Sequence, residues 1–179
     1  MSASTASTAM PAHGAYQRLA GWHGELTAFR RDLHAHPELG FEEVYTAGRI
    51  KESLKLCGVD EIHEGIGKTG VVGVLSAGDS TRTIGLRADM DALPVTERNA
   101  LPFASKQTTE FRGEKTGVMH ACGHDSHTAM LMGVAEAMVD MKKDLKGEVM
   151  FIFQPAEEGP PDGETGGASA MLAEGLFKD

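Results

Sequence analysis

Val149-Met150-Phe151-Ile152-Phe153 constrains this chain more than any other stretch. Five apolar residues in a row, with no polar residue at alternate positions, describe a strand that water reaches from neither face. A strand covered on both sides needs helices against a sheet, so the run predicts an α/β architecture with this strand near its centre. It is followed by Gln154-Pro155-Ala156-Glu157-Glu158-Gly159, which ends the strand and leaves two carboxylates side by side. In open α/β sheets, sites gather beyond the carboxyl ends of strands. Adjacent side chains on an extended segment point to opposite sides, so one acid can hold a cation while the other faces water or substrate.

The remaining patterns supply the layers. Trp22, Leu26, Phe29 and Leu33 form one helical stripe, predicting a helix from Tyr16 that stops near His36, because Pro37 disfavours a helical residue before it. Ala47, Ile50, Leu54 and Cys57 mark a second helix over 42–57, with Gly58 placed to end it. Val71 to Leu75 and Thr83 to Leu86 are short β-type runs separated by Gly78-Asp79-Ser80, a hairpin signal. Residues 95–117 are polar and aperiodic and read as a long loop. A third helix begins near Ser126. Met130, Val134 and Met138 lie on one of its faces with Leu131, Ala135 and Val139 beside them, an arc broad enough to predict deep burial. A Gly/Pro-rich acidic loop and a short helix over 168–177 follow the central strand. The expected fold is α/β, a mixed sheet flanked by helices, with residues 1–15 a flexible leader and 16–179 a single domain's length of chain.

Charge narrows the partners. Acids outnumber bases 26 to 17, a formal net charge of −9, so neither duplex nucleic acid nor an anionic membrane finds the basic face it requires. No apolar stretch approaches the ~18 residues of a membrane span, and residues 1–15 lack the basic start and apolar core of a signal peptide. Two cysteines, Cys57 and Cys122, cannot build a disulfide framework, which suits a reducing cytoplasm.

The chemistry concentrates in Met119-His120-Ala121-Cys122-Gly123-His124-Asp125-Ser126-His127. Cys122 and His124 can point at one ion because Gly123 lets the backbone fold tightly between them, and zinc takes sulfur and nitrogen donors. The cluster precedes a helix, whose free amides favour the thiolate that binds metal. Asp89 and Asp91 follow another strand. At i and i+2 they share a face if extended, so one can orient a histidine ligand; alone, they read as turn formers. His34 and His36 read as structural hydrogen-bonding groups at a helix end, His13, His23 and His63 as surface or core polar residues, and Cys57 as a small buried hydrophobe. Two rival readings use the same cluster. In one, His120 and His127 join Cys122 and His124 in a closed structural zinc site. In the other, Cys122 is a nucleophile with an adjacent imidazole as base, although two residues of separation suit such a dyad poorly.

Leu33 to Gly40 (His-Ala-His-Pro-Glu), Leu86 to Pro94 (Arg-Ala-Asp-Met-Asp-Ala-Leu), Met119 to His127 and Gln154 to Gly159, in this order, closely resemble the metal-dependent amidohydrolases that include hippurate hydrolase, N-acyl-amino-acid deacylases and hydrolases of auxin conjugates. The chain looks most like the bacterial hippurate hydrolase type, from about Leu19 onward. The resemblance implies a zinc-peptidase-like catalytic domain with two divalent ions, zinc or manganese, per full-length site. It implies Cys122, His124 and Glu158 as metal ligands, Glu157 as the general base on a metal-activated water, and Asp91 as the supporting acid beside the metals. It implies an N-acyl-amino acid as substrate. Family members are longer, with a further histidine ligand, an inserted ferredoxin-like lid used for dimerisation and a returning C-terminal half with the last histidine. The chain therefore reads as the front part of a catalytic domain, homo-oligomeric at full length through that lid, and expected to be inactive by itself. The loop Gly159 to Gly167 is longer than the shortest family versions.

Overall fold

The computed structural model describes residues 14–79 and 81–178; the expected leader falls outside them, apart from Gly14 and Ala15, which begin the first helix. Helix α1 (Gly14–Ala35) stops ahead of Pro37 as predicted. Helix α2 (Val44–Cys57) ends on Gly58 at φ 91, whose N–H donates to Leu54 O at 3.0 Å. There follow β1 (Glu61–Ile66), β2 (Gly70–Ala77), β3 (Thr83–Asp89), β4 (Thr108–Phe111), β5 (Glu114–Gly117), α3 (His124–Asp140), a short 3-10 turn (Lys142–Asp144), β6 (Gly147–Gln154) and α4 (Gly167–Ala173). Among the described residues no helix is long and apolar enough to cross a membrane.

The main sheet runs β1-β2-β6-β3, with β6 antiparallel to β2 and parallel to β3. The expected hairpin between β2 and β3 is therefore wrong. These strands run in opposite directions, as a hairpin's would, but β6 lies between them. Ile152 pairs with Val72 on one side and with Arg87 on the other. Two strand spacings are about 10 Å, which the five residues after Ala77 cross easily at ~3.3 Å each. The real hairpin joins β1 and β2 through Gly67, Lys68 and Thr69, with a register shift between Glu64 and Ile66. Strand β1 escapes a hydrophobicity reading because Ile62 and Ile66 are its only large apolar residues. Residues 95–117 are not all loop either. Strands β4 and β5 form a small hairpin across Arg112 (φ 52) and Gly113 (φ 80), the doubly positive pair that a two-residue reversal between twisted strands demands.

Strand β6 is covered on both faces, as its composition required. Phe151 and Phe153 are fully buried with Ile50 and Leu54 of α2 and Leu131, Met132 and Ala135 of α3. Ile152 faces the other way, with Val72, Val74 and Met171 of α4. Helix α1 packs over α3 at Gly133, where an added Cβ would lie 2.9 Å from the Leu26 Cδ1 atom. The expected burial of Met130 fails: it is 61% exposed. The buried side of α3 is carried instead by Thr128, Leu131, Met132 and Ala135, because the sheet and α1 occupy neighbouring sectors and leave Met130 outside both.

Candidate metal centre

Three segments meet beyond the carboxyl ends of the parallel pair β3 and β6. Strand β3 delivers Asp89, and one further ladder bond, Met90 N–H to Gln154 O at 3.1 Å, carries the chain on to Asp91. Helix α3 starts two residues before the expected Ser126, so His124 is its first residue, directly after Gly123 at φ 92. Strand β6 ends in a turn whose Ala156 has φ 44. That left-handed residue cancels the alternation on which the opposite-side reading of Glu157 and Glu158 rested. Both carboxylates approach the same atom: His124 Nε2 lies 3.8 Å from Glu157 Oε2 and 3.7 Å from Glu158 Oε1. Asp89 Oδ1 is a third neighbour, at 3.7 Å.

The other nitrogen of His124 is tied down. Nδ1 lies 2.8 Å from the main-chain oxygen of Asp91 and 3.2 Å from its Oδ1. With Nδ1 donating, Nε2 is the nitrogen that can ligate a metal once a cation displaces its proton. Asp91, 1% exposed, also accepts the Glu158 N–H at 2.9 Å, so one carboxylate orients the imidazole and the acidic turn together. Burial works against ionisation of Asp91, but the His124 hydrogen bond and the amides of Glu158 and Glu157 outweigh it and hold its carboxyl below the usual range.

The spacing around Nε2 fits a divalent cation. Two donors each 2.0–2.2 Å from one ion at a tetrahedral angle lie about 3.4 Å apart, close to the 3.7–3.8 Å found and too long for direct hydrogen bonds. Cys122 Sγ, His124 and Glu158 place their ligand atoms within 4.8 Å of one another; Asp89, His124 and His127 do the same. The cage is also charged for a cation. Burial opposes protonation of His124, yet the Asp91 hydrogen bond and the charges of Asp89 and Asp91 raise its pKa to about 9. Cys122, although exposed, is pushed up to about 11, first by its hydrogen bond with Glu158, then by some loss of solvation and by the surrounding acids. The helix start therefore does not by itself make Cys122 a thiolate, and the nucleophile reading loses its reactive form. A divalent ion reverses that balance for a coordinating thiol.

His127 and Asp89 form the part that the sequence reading underrated. His127 Nδ1 lies 2.6 Å from Asp89 Oδ1. The i, i+3 spacing of His124 and His127 on one helical turn was the available signal. His120 does not join either donor group. It is buried, its ring nitrogens lack hydrogen-bond partners among the described residues, and burial lowers its pKa to about 4, so the closed zinc set built on it is not assembled. His34 is structural as expected, bonded through Nδ1 to Asp125 Oδ2 at 2.6 Å and through Nε2 to Glu97 Oε1 at 3.3 Å.

Comparison with known proteins gives the chain relatives of known family. The profile of peptidase family M20/M25/M40 matches residues 85–179, a span that contains every residue of both donor groups. The hippurate hydrolase of Campylobacter jejuni is 48% identical over 155 residues, 87% of this chain and 36% of that protein. The N-acyl-L-amino acid amidohydrolase of Geobacillus stearothermophilus is 45% identical over 153 residues, covering 86% and 38% respectively. Among solved structures, the Bacillus subtilis YXEP protein, described as a dinuclear metal-binding peptidase of family M20, superposes with a TM-score of 0.76 at 42% identity, over 88% of this chain and 40% of that one. The chain thus spans 36–38% of the length of these curated relatives. With the family profile matched over more than half of the chain and the fold shared with a solved member, the chain belongs to peptidase family M20/M25/M40.

Proposed function

We propose that this chain carries the metal-binding front of an amidohydrolase that releases an amino acid from an N-acyl-amino acid. The observation that supports it most is the convergence of Glu157, Glu158 and Asp89 on Nε2 of His124. Cys122, His124 and Glu158 would hold a divalent ion, zinc or manganese, and Asp89 and His127 would extend the set toward a second. When bound, such ions polarise an amide carbonyl and lower the pKa of water. Glu157 is the general base in this reading. Its side chain is 41% exposed and reaches the cage from the solvent side, so its carboxylate can take a proton from the attacking water and pass it to the leaving amine. Asp91 keeps the His124 ring in its ligating tautomer and holds the amides of the acidic turn.

Both donor groups share His124, whose Nε2 serves one ion at a time, so the described residues furnish one three-donor site and only part of another. We infer that hydrolysis needs further donors, and that the full-length form is a homo-oligomer. Both cysteines are unbridged, which supports the cytoplasm as the setting. The test is release of glycine from N-benzoylglycine. The chain alone, supplied with zinc or manganese, should show no turnover, and clear metal-dependent turnover would refute that part. In a longer form that is active, Glu157→Gln should cut kcat about 10²–10⁴-fold with metal content unchanged. Unchanged kcat would remove Glu157 from the mechanism.

A further inference from the structure

We propose that Glu43 is a positioning residue for the acidic turn: it holds Glu157 and Glu158 toward His124 by fixing the backbone of Ala156. Glu43 stands at the N-terminal boundary of α2, far along the chain from every ligand candidate, and is 0% exposed. Its Oε1 accepts the Ala156 N–H at 2.9 Å and its Oε2 accepts the Thr69 hydroxyl at 2.5 Å. The main-chain amides of Phe41 and of Glu43 itself also donate to it. A buried carboxyl group with no counter-ion among these partners is costly unless its lone pairs are used. Burial outweighs the hydrogen bonds and raises its pKa, and the lone pairs are spent on the turn.

That turn is gripped from three sides. Gly167 N–H donates to Ala156 O at 3.0 Å. Gly40 lies so close that an added Cβ would sit 2.9 Å from the Ala156 Cβ atom. Asp91 accepts the Glu158 N–H immediately downstream. The amides of Ala156 and Glu158 are thus held by two buried carboxyl groups on different segments. Alanine rarely adopts φ 44 unless its surroundings over-determine it. Without Glu43, the Ala156 amide is left buried and unpaired, and the relaxed extended form would send Glu157 and Glu158 to opposite sides. The shared approach to Nε2 would be lost.

This proposal rests on the metal-centre reading, and its test separates the two. The chain is titrated with Co²⁺ alone under reducing conditions, following the visible d–d bands and the thiolate charge-transfer band, with thermal unfolding recorded in parallel. Glu43→Ala should weaken Co²⁺ binding about 10-fold or more and alter the d–d bands, while the Cys122 charge-transfer band persists. Glu43→Gln should stay within about threefold of the wild type, since its amide oxygen still accepts the Ala156 N–H and its NH₂ can donate to Thr69. Adding Ala156→Gly to Glu43→Ala should recover part of the loss, because glycine takes the left-handed conformation freely. Where Glu43→Ala does not fold, Gly40→Ala pushes the same turn without touching the buried carboxyl group and should weaken Co²⁺ in the same way. Wild-type affinity and spectrum in a folded Glu43→Ala chain, or failing that in Gly40→Ala, overturn the proposal alone. No Co²⁺ binding by the wild type overturns the metal-centre reading and this proposal with it.

Discussion

Phe151 and Phe153 on β6 are fully buried against α2 and α3, and a few residues along the same strand direction Asp91 and His124 are buried almost as deeply, at 1% and 2% exposure. The first region is apolar throughout. The second is a set of charged and polar groups. Apolar burial contributes residue by residue, roughly in proportion to area. Polar burial is favourable only while each group has its partner, so the rim of the sheet stands or falls as a network. The contrast also divides labour: the apolar face sets where the strand ends lie, and the rim turns those positions into a cation cage.

Cutting the apolar side should have the larger effect on stability. Phe151→Ala is expected to cost about 3–5 kcal/mol, read from the urea midpoint, while the molecules that remain folded keep their Co²⁺ affinity. A loss of affinity in the folded fraction would show that the two regions are not separable. Next comes the rim. Asp91→Asn keeps shape and an acceptor but removes charge, and should cost about 1.5–3 kcal/mol and weaken metal binding about 10–100-fold. The reverse pattern, full stability loss with unchanged metal affinity, would make Asp91 a packing residue.

The pH response sharpens the same comparison. In the cation-free chain, burial disfavours the charged form of His124 but Asp91 and Asp89 prevail and raise its pKa to about 9. A histidine raised above its ordinary 6.5 adds stability that is complete below that value and disappears as pH climbs through about 9. The melting temperature of the cation-free chain should therefore fall between about pH 7 and pH 10, and His124→Gln should flatten that fall. Zinc competes with the same proton, so its affinity should rise over the interval. The smallest effect belongs to Met130, 61% exposed on α3, where Met130→Gln should change stability by less than about 0.5 kcal/mol.

How much of this was legible in the sequence differs element by element. The central place of β6 was readable, because a run without polar residues has only one comfortable position in a sheet. So were α1 and α2, whose stripes and stops are local. The insertion of β6 between β2 and β3 was not, since Gly78-Asp79-Ser80 reads identically whether its flanking strands pair or merely face the same interloper. At the site, Cys122, His124, Glu157 and Glu158 stood out by residue type and spacing. The pairing of Asp89 with His127 did not, because their 2.6 Å contact joins the end of a strand to the first turn of a distant helix. Glu43 carried no signal beyond being one acid among 26.

The sequence by itself determined which strand is interior, which helices cover it and which donor atoms sit near each other along the chain, because periodicity and residue chemistry are local properties. Only the tertiary structure decided that the neighbouring glutamates face one nitrogen rather than two directions. That outcome depends on the left-handed Ala156, which is held by a carboxylate 113 residues away. A backbone conformation that unfavourable is set by what surrounds it, not by the residue that adopts it.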